Sequence, residues 1–117
     1  MKKSVLALAA AALVLSQVAV ADEALATKSG CMACHQLTLK VVGPAYKDVA
    51  TKYAGDAAAE ATLIEKVKAG GVGNWGQVPM PPKGGNPAVS DEDVATLVKW
   101  ILSLAAPAEA APAAPAK

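Results

Sequence analysis

The sequence predicts an all-α domain, and three observations predict it. Apolar residues recur at three- and four-residue spacing in separate stretches, as on the buried face of a helix. Acidic residues, Ser and Pro stand where those stretches begin, and Gly stands where they end. A long internal stretch without such spacing, residues 70–89, is crowded with Gly and Pro and reads as a loop.

Taken in order, Asp22-Glu23 opens a short helical segment running to Ser29, where Gly30 can relax the chain. Pro44 suits the first turn of a second helix. Its apolar face is Tyr46, Val49, Ala50 and Tyr53, and Gly55 sits where a left-handed C-cap belongs. Asp56 can cap a third helix through Lys68, with Leu63, Ile64 and Val67 facing inward, and Gly70-Gly71 ends it. The loop that follows carries Trp75 and Met80, which argues that it is ordered against something. Ser90 is the N-cap of the last helix, with Asp93 in the capping-box position. Val94, Leu97, Val98, Ile101 and Leu104 form its buried stripe.

The two ends are of another kind. Met1-Lys2-Lys3 is followed by an Ala/Leu/Val run to Val20 and a small-residue site at Ala19-Val20-Ala21. This order predicts a secretory signal peptide, residues 1–21, cut after Ala21. As a permanent membrane anchor the run is too short, since spanning takes roughly 20 apolar residues. Residues 105–117 are rich in Ala and Pro, lack periodicity and read as a flexible tail. One domain, 22–104, remains between them.

Loss of the leader removes two of the 11 lysines, leaving fewer than the 10 acidic residues, and Arg is absent. A nucleic-acid surface would need a basic stripe, so that class is excluded. With no Phe, two Trp and two Tyr, the chain has few large core residues. A domain this small needs something large and apolar to complete its interior.

Cys31-Met32-Ala33-Cys34-His35 names a candidate. C-x-x-C-H is the attachment signature of haem c. Thiols three residues apart fall on one side of a helical turn, where each can add to a vinyl group of one porphyrin. His35, next in line, then presents a ring nitrogen to the iron. A redox disulfide would expect a thioredoxin-like βαβ pattern, which is missing. A zinc site lacks ligands, because His35 is the only His and no third Cys exists. A structural disulfide would leave His35 unexplained. For the sixth ligand, Met1 leaves with the leader and Met32 lies inside the attachment turn, pointing outward. Met80 remains, held among Pro79, Pro81 and Pro82; the competing role for it is a core gap-filler. His and Met together close the iron to substrate and favour the ferrous state, the properties of a carrier.

At this point the sequence resembles the small class I bacterial cytochromes c of the c-551 type. The stretches that carry the resemblance are GCMACH (30–35), VVGPAYKDVATKYAG (41–55), NWGQVPMPP (74–82) and VSDEDVATLVKWILSL (89–104). The resemblance implies a bundle of about four helices around one covalently bound haem. It implies thioethers from Cys31 and Cys34, and His35 and Met80 as iron ligands. It implies a Pro44 carbonyl that accepts the His35 Nδ1 proton, and Trp75 and Lys66 facing a haem propionate. For Trp75 the alternative is a core filler, and for Lys66 a solvated helix face. The segment Lys83-Gly84-Gly85-Asn86-Pro87 is longer than the pattern expects, with Asn86 a candidate to steady the Met80 sulfur.

The leader and the resemblance together lead us to expect a monomeric periplasmic electron carrier, not an enzyme. The resemblance implies a quinol-oxidising complex upstream, and a haem nitrite reductase or terminal oxidase downstream. An open-haem peroxidase or gas sensor would need Met80 off the iron, and a scaffold role would rest on the tail. Electron exit is expected at a small apolar patch of Met32, Ala33, Val41, Val78, Pro81 and Pro82, near Lys28, Lys40 and Lys47.

Overall fold

The computed structural model describes residues 15–105; most of the expected leader and nearly all of the expected tail lie outside them. Four α-helices follow one another: α1 (Leu15–Lys28), α2 (Tyr46–Lys52), α3 (Ala59–Ala69) and α4 (Asp91–Ser103). Two short 3-10 turns lie between them, Cys31–Ala33 and Pro82–Gly85. Among the described residues the only β-type pairings are isolated antiparallel bridges, His35 with Lys40 and Gly71 with Met80. The all-α expectation is met.

Helix α4 organises the core by packing against α1, α2 and α3. Its expected stripe of Val94, Leu97, Val98 and Ile101 is buried, and Leu104 is half-buried. Burial of each such side chain contributes roughly 1.5–3 kcal/mol. Trp100, outside that stripe, is also buried, and meets Tyr46 edge-on with ring centroids 5.7 Å apart. Helix α4 starts as its sequence demands: the Ser90 hydroxyl accepts the Asp93 N–H at 3.0 Å, replacing a backbone partner the first turn lacks. Tyr46, Val49 and Ala50 of α2 and Leu63 of α3 face the same core, joined by Ala26 of α1.

Several boundaries differ from expectation. Helix α1 is continuous from Leu15 across the Ala21–Asp22 junction, because the residues there are mostly good helix formers. Asp22 and Glu23 therefore lie inside a helix rather than at its start. Pro44 precedes α2 instead of opening it: Ala45 is the N-cap, in an extended conformation. The chain enters the helix late because the Tyr46 and Lys47 N–H groups donate to the carbonyls of Gln36 and Leu37, at 2.9 and 3.0 Å. Asp56 does not cap α3 directly. Its carboxylate accepts the Ala58 N–H at 2.8 Å, forming a turn from which the helix departs at Ala59. The loop after α3 is also more regular than its Gly/Pro content suggests. Gly71 and Met80 exchange two backbone hydrogen bonds of 2.9 and 2.8 Å, and the 3-10 turn follows at once.

Candidate functional site

The attachment motif begins where α1 stops. Gly30 takes φ +86°, the left-handed region that a side chain disfavours, and breaks the helix. The next residues wind one tight turn, in which the Cys31 carbonyl accepts both the Cys34 and His35 N–H groups at 3.2 and 3.0 Å. Two thiols and an imidazole are thereby carried by one turn. Cys31 is half-buried, Cys34 is exposed, and both are free. Burial pushes the Cys31 thiol above its ordinary range, with a partly opposing hydrogen bond to Tyr46. The Tyr46 phenol is raised further still, first by burial and then by its proximity to Cys31. Met32 departs from expectation: it is half-buried and packs against the core rather than standing outward.

His35 is held on three sides. Its Nδ1 lies 2.8 Å from the Pro44 carbonyl oxygen. A carbonyl can only accept, so Nδ1 carries the proton and Nε2 presents its lone pair. One face of the ring stacks on Tyr46, with centroids 4.8 Å apart and planes 13° from parallel. Beside the ring, a Cβ on Gly43 would fall 2.5 Å from Cε1, so only glycine fits without a shift. The Gly43 N–H in turn donates to the Cys34 carbonyl at 2.7 Å. The displaced start of α2 now has a consequence: the Pro44 carbonyl is free to face His35.

Met80 stands on a separate segment, between α3 and α4. Besides its pairing with Gly71, it lies against Gly70, where a Cβ would come 2.5 Å from the Met80 carbonyl oxygen. Gly70 also needs its φ of +73°. Lys66 shares this neighbourhood, its ammonium near Gly71. Trp75 is half-buried at the edge of the core. The Lys52 ammonium lies 4.5 Å from its ring centroid, a cation–π contact, and 3.5 Å from the Asn74 carbonyl oxygen.

The structure therefore joins Cys31, His35 and Pro44 through direct contacts with Tyr46 and Gly43, and places Met80 and Lys66 about Gly71. Trp75 sits with Lys52. Asn86 does not serve Met80. Its Nδ2 donates to the Ser29 carbonyl at 3.1 Å, and its Oδ1 accepts the Ala88 N–H at 3.1 Å. Sequence reasoning gave no site role to Gly43, Lys52 or the second face of Tyr46, and read Gly70 and Gly71 only as the end of α3. The Gly43-Pro44 pair was the available signal for the first.

These residues fit a covalently held haem. The thiols share one turn, and the imidazole tautomer is fixed with Nε2 available as an iron donor. The thioether of Met80 is a soft ligand suited to iron.

The cytochrome c family profile matches residues 21–105. Cytochrome c-551 of Allochromatium vinosum is 58% identical over 93 residues, covering 80% of this chain and 96% of that protein. Cytochrome c-551 of Pseudomonas aeruginosa is 50% identical over 102 residues, with 86% and 94% coverage. The crystal structure of Nitrosomonas europaea cytochrome c552 superposes with a TM-score of 0.65 at 52% identity, covering 70% of this chain and 98% of that one. With the attachment turn in place and most of the chain matched, the protein belongs to the cytochrome c family, electron carriers rather than enzymes that hold one covalently bound haem c.

Proposed function

We propose that this protein is a periplasmic one-electron carrier in which Cys31 and Cys34 hold the haem as thioethers and His35 and Met80 are the axial ligands. The observation that carries the reading is the 2.8 Å contact from His35 Nδ1 to the Pro44 oxygen. It orients the imidazole and raises its basicity toward a metal. When bound, haem supplies a single iron that alternates between ferric and ferrous.

The chain's residues set the terms of that exchange. The prolines on either side of Met80 limit how its backbone can move, and the pairing with Gly71 ties it to the end of α3. With the Met80 thioether and the His35 imidazole both given to the iron, a bound haem would favour its reduced state and would have no site for substrate. Lys66 and Trp75 would face a haem propionate, where the ammonium and indole N–H can donate.

In this reading residues 1–21 are a signal peptide, 22–104 the haem domain and 105–117 a flexible tail. Cleavage after Ala21 would place Asp22 and Glu23 in the first turn of the shortened α1, where acids favour the positive helix end. Among the described residues no helix is long and apolar enough to cross a membrane. The monomer would take electrons from a quinol-oxidising complex and pass them to a haem nitrite reductase or terminal oxidase.

Intact-mass analysis of protein from the periplasm tests maturation: Asp22 as first residue plus one haem is expected. Retention of residues 1–21 would overturn the assignment of the leader. Potentiometry tests the ligands: Met80→Ala should lower the midpoint potential, and an unchanged potential would overturn Met80 ligation.

A further inference from the structure

The Lys83 side chain lies three residues beyond Met80 and retains only 22% exposure. Its ammonium donates to the Val89 carbonyl at 2.8 Å and pairs with Asp91 Oδ1 at 2.9 Å. The other oxygen of Asp91 holds Lys68 at 3.2 Å. Lys68 belongs to the last turn of α3, immediately before the Gly70-Gly71 pair that lies against Met80.

These links close a ring. From Met80 the chain runs through Pro81 and Pro82 to Lys83. It crosses by ion pairs to Asp91 and Lys68, continues through Ala69 to Gly71, and returns to Met80 through two backbone hydrogen bonds. Met80 is thus braced on both sides of its own backbone. Lys83 sits in the left-handed region at φ +52°, beside Gly84 at +66°. That conformation is strained for a lysine and free for a glycine, so the backbone gains nothing from Lys here. The ammonium is what this position contributes.

We propose that Lys83 is a positioning residue for Met80: by closing the ring through Asp91 and Lys68, it slows departure of the Met80 sulfur from the iron. The inference rests on the ligation reading above. Without the Lys83–Asp91 link, the two-proline segment keeps its backbone hydrogen bonds to Gly71 and its packing against Gly70 and α3, but loses its ion-pair tie through Asp91 to Lys68. Excursions that lift Met80 then cost fewer hydrogen bonds.

The test uses the ferric holoprotein and the rate at which imidazole replaces Met80. Wild-type protein should show the weak long-wavelength absorption band of a thioether on ferric iron. Lys83→Gly, which relaxes the backbone while deleting the ammonium, should bind imidazole about tenfold faster, as expected for losing a charge-assisted hydrogen bond. Asp91→Asn should change the rate in the same direction, and Lys83→Arg should restore it. Glu60→Gln removes a different link between α3 and α4, the 3.7 Å pair with Lys99, and should leave the rate unchanged. If the band is present but Lys83→Gly binds imidazole at the wild-type rate, the ring proposal is overturned alone. The same holds if Glu60→Gln accelerates binding equally, since general loosening would then explain it. Absence of the band in wild-type protein overturns the ligation reading, and this inference with it.

Discussion

Gly43 and His35 are in closer register than any side chain at position 43 would permit: a methyl group there would sit 2.5 Å from the imidazole Cε1 and 2.9 Å from Nδ1. The conflict is purely one of space, because Gly43 does not adopt the left-handed conformation.

Gly43→Ala should therefore displace either the ring or the segment carrying the Pro44 carbonyl. Overpacking of this kind costs about 1–3 kcal/mol. Denaturant unfolding of the holoprotein should show a loss in that range. A variant as stable as wild type would mean that the ring yields freely and is not held as described. By contrast, Gly30→Ala meets no neighbouring atom and should be penalised only through its φ of +86°.

Acid should loosen the segment beyond Met80. The ammoniums of Lys83 and then Lys68 hold the Asp91 carboxyl below its ordinary value of 3.8. A carboxylate lowered on folding stabilises the folded state fully at pH values above its unfolded pKa. That contribution is lost as pH falls through the folded value. Thermal unfolding followed from neutral pH down through 3.8 and below should show a decline that is shallower in Asp91→Asn, with the variant already less stable at neutral pH. Parallel profiles would contradict the assigned role of the ion pairs.

The exposed apolar residues suggest where electrons leave. Val41 and Val78 retain 55% and 62% exposure, and small apolar patches suit weak, rapid encounters. Val78→Asp or Val41→Asp should slow transfer to a partner about three- to tenfold by desolvating a charge in the contact. Deletion of residues 105–117 should have a smaller effect. Stopped-flow oxidation of the reduced protein makes the comparison, and equal effects would place docking elsewhere.

Local order was largely legible in the sequence, and long-range contacts were not. The faces of α2 and α4 were readable because Tyr46, Val49 and Ala50, or Val94, Leu97 and Val98, repeat within one helix. Ser90 was readable because its hydroxyl serves a donor three residues away. Trp100 escaped notice because its burial depends on Tyr46, far along the chain. Pro44 was misplaced for a similar reason, since carbonyls of the preceding loop satisfy the first donors of α2. Asn86 was assigned to Met80 by proximity in sequence, whereas its amide reaches Ser29 at the end of α1. Lys52 over Trp75 and the Lys83–Asp91–Lys68 chain each join segments that no periodicity connects. The attachment motif needed no such information, because its chemistry lies within a single turn.

The central claim is that Met80 and His35 together close the iron, and carbon monoxide binding to the reduced protein tests it most directly. Wild-type protein should bind carbon monoxide slowly, at a rate set by Met80 leaving the iron, while Met80→Ala should bind it rapidly. Met32→Ala should behave as wild type at the iron, because Met32 packs against the core from within the attachment turn. Rapid binding by the wild-type protein, or identical rates for wild type and Met80→Ala, would contradict the account and favour an open-haem peroxidase or gas sensor.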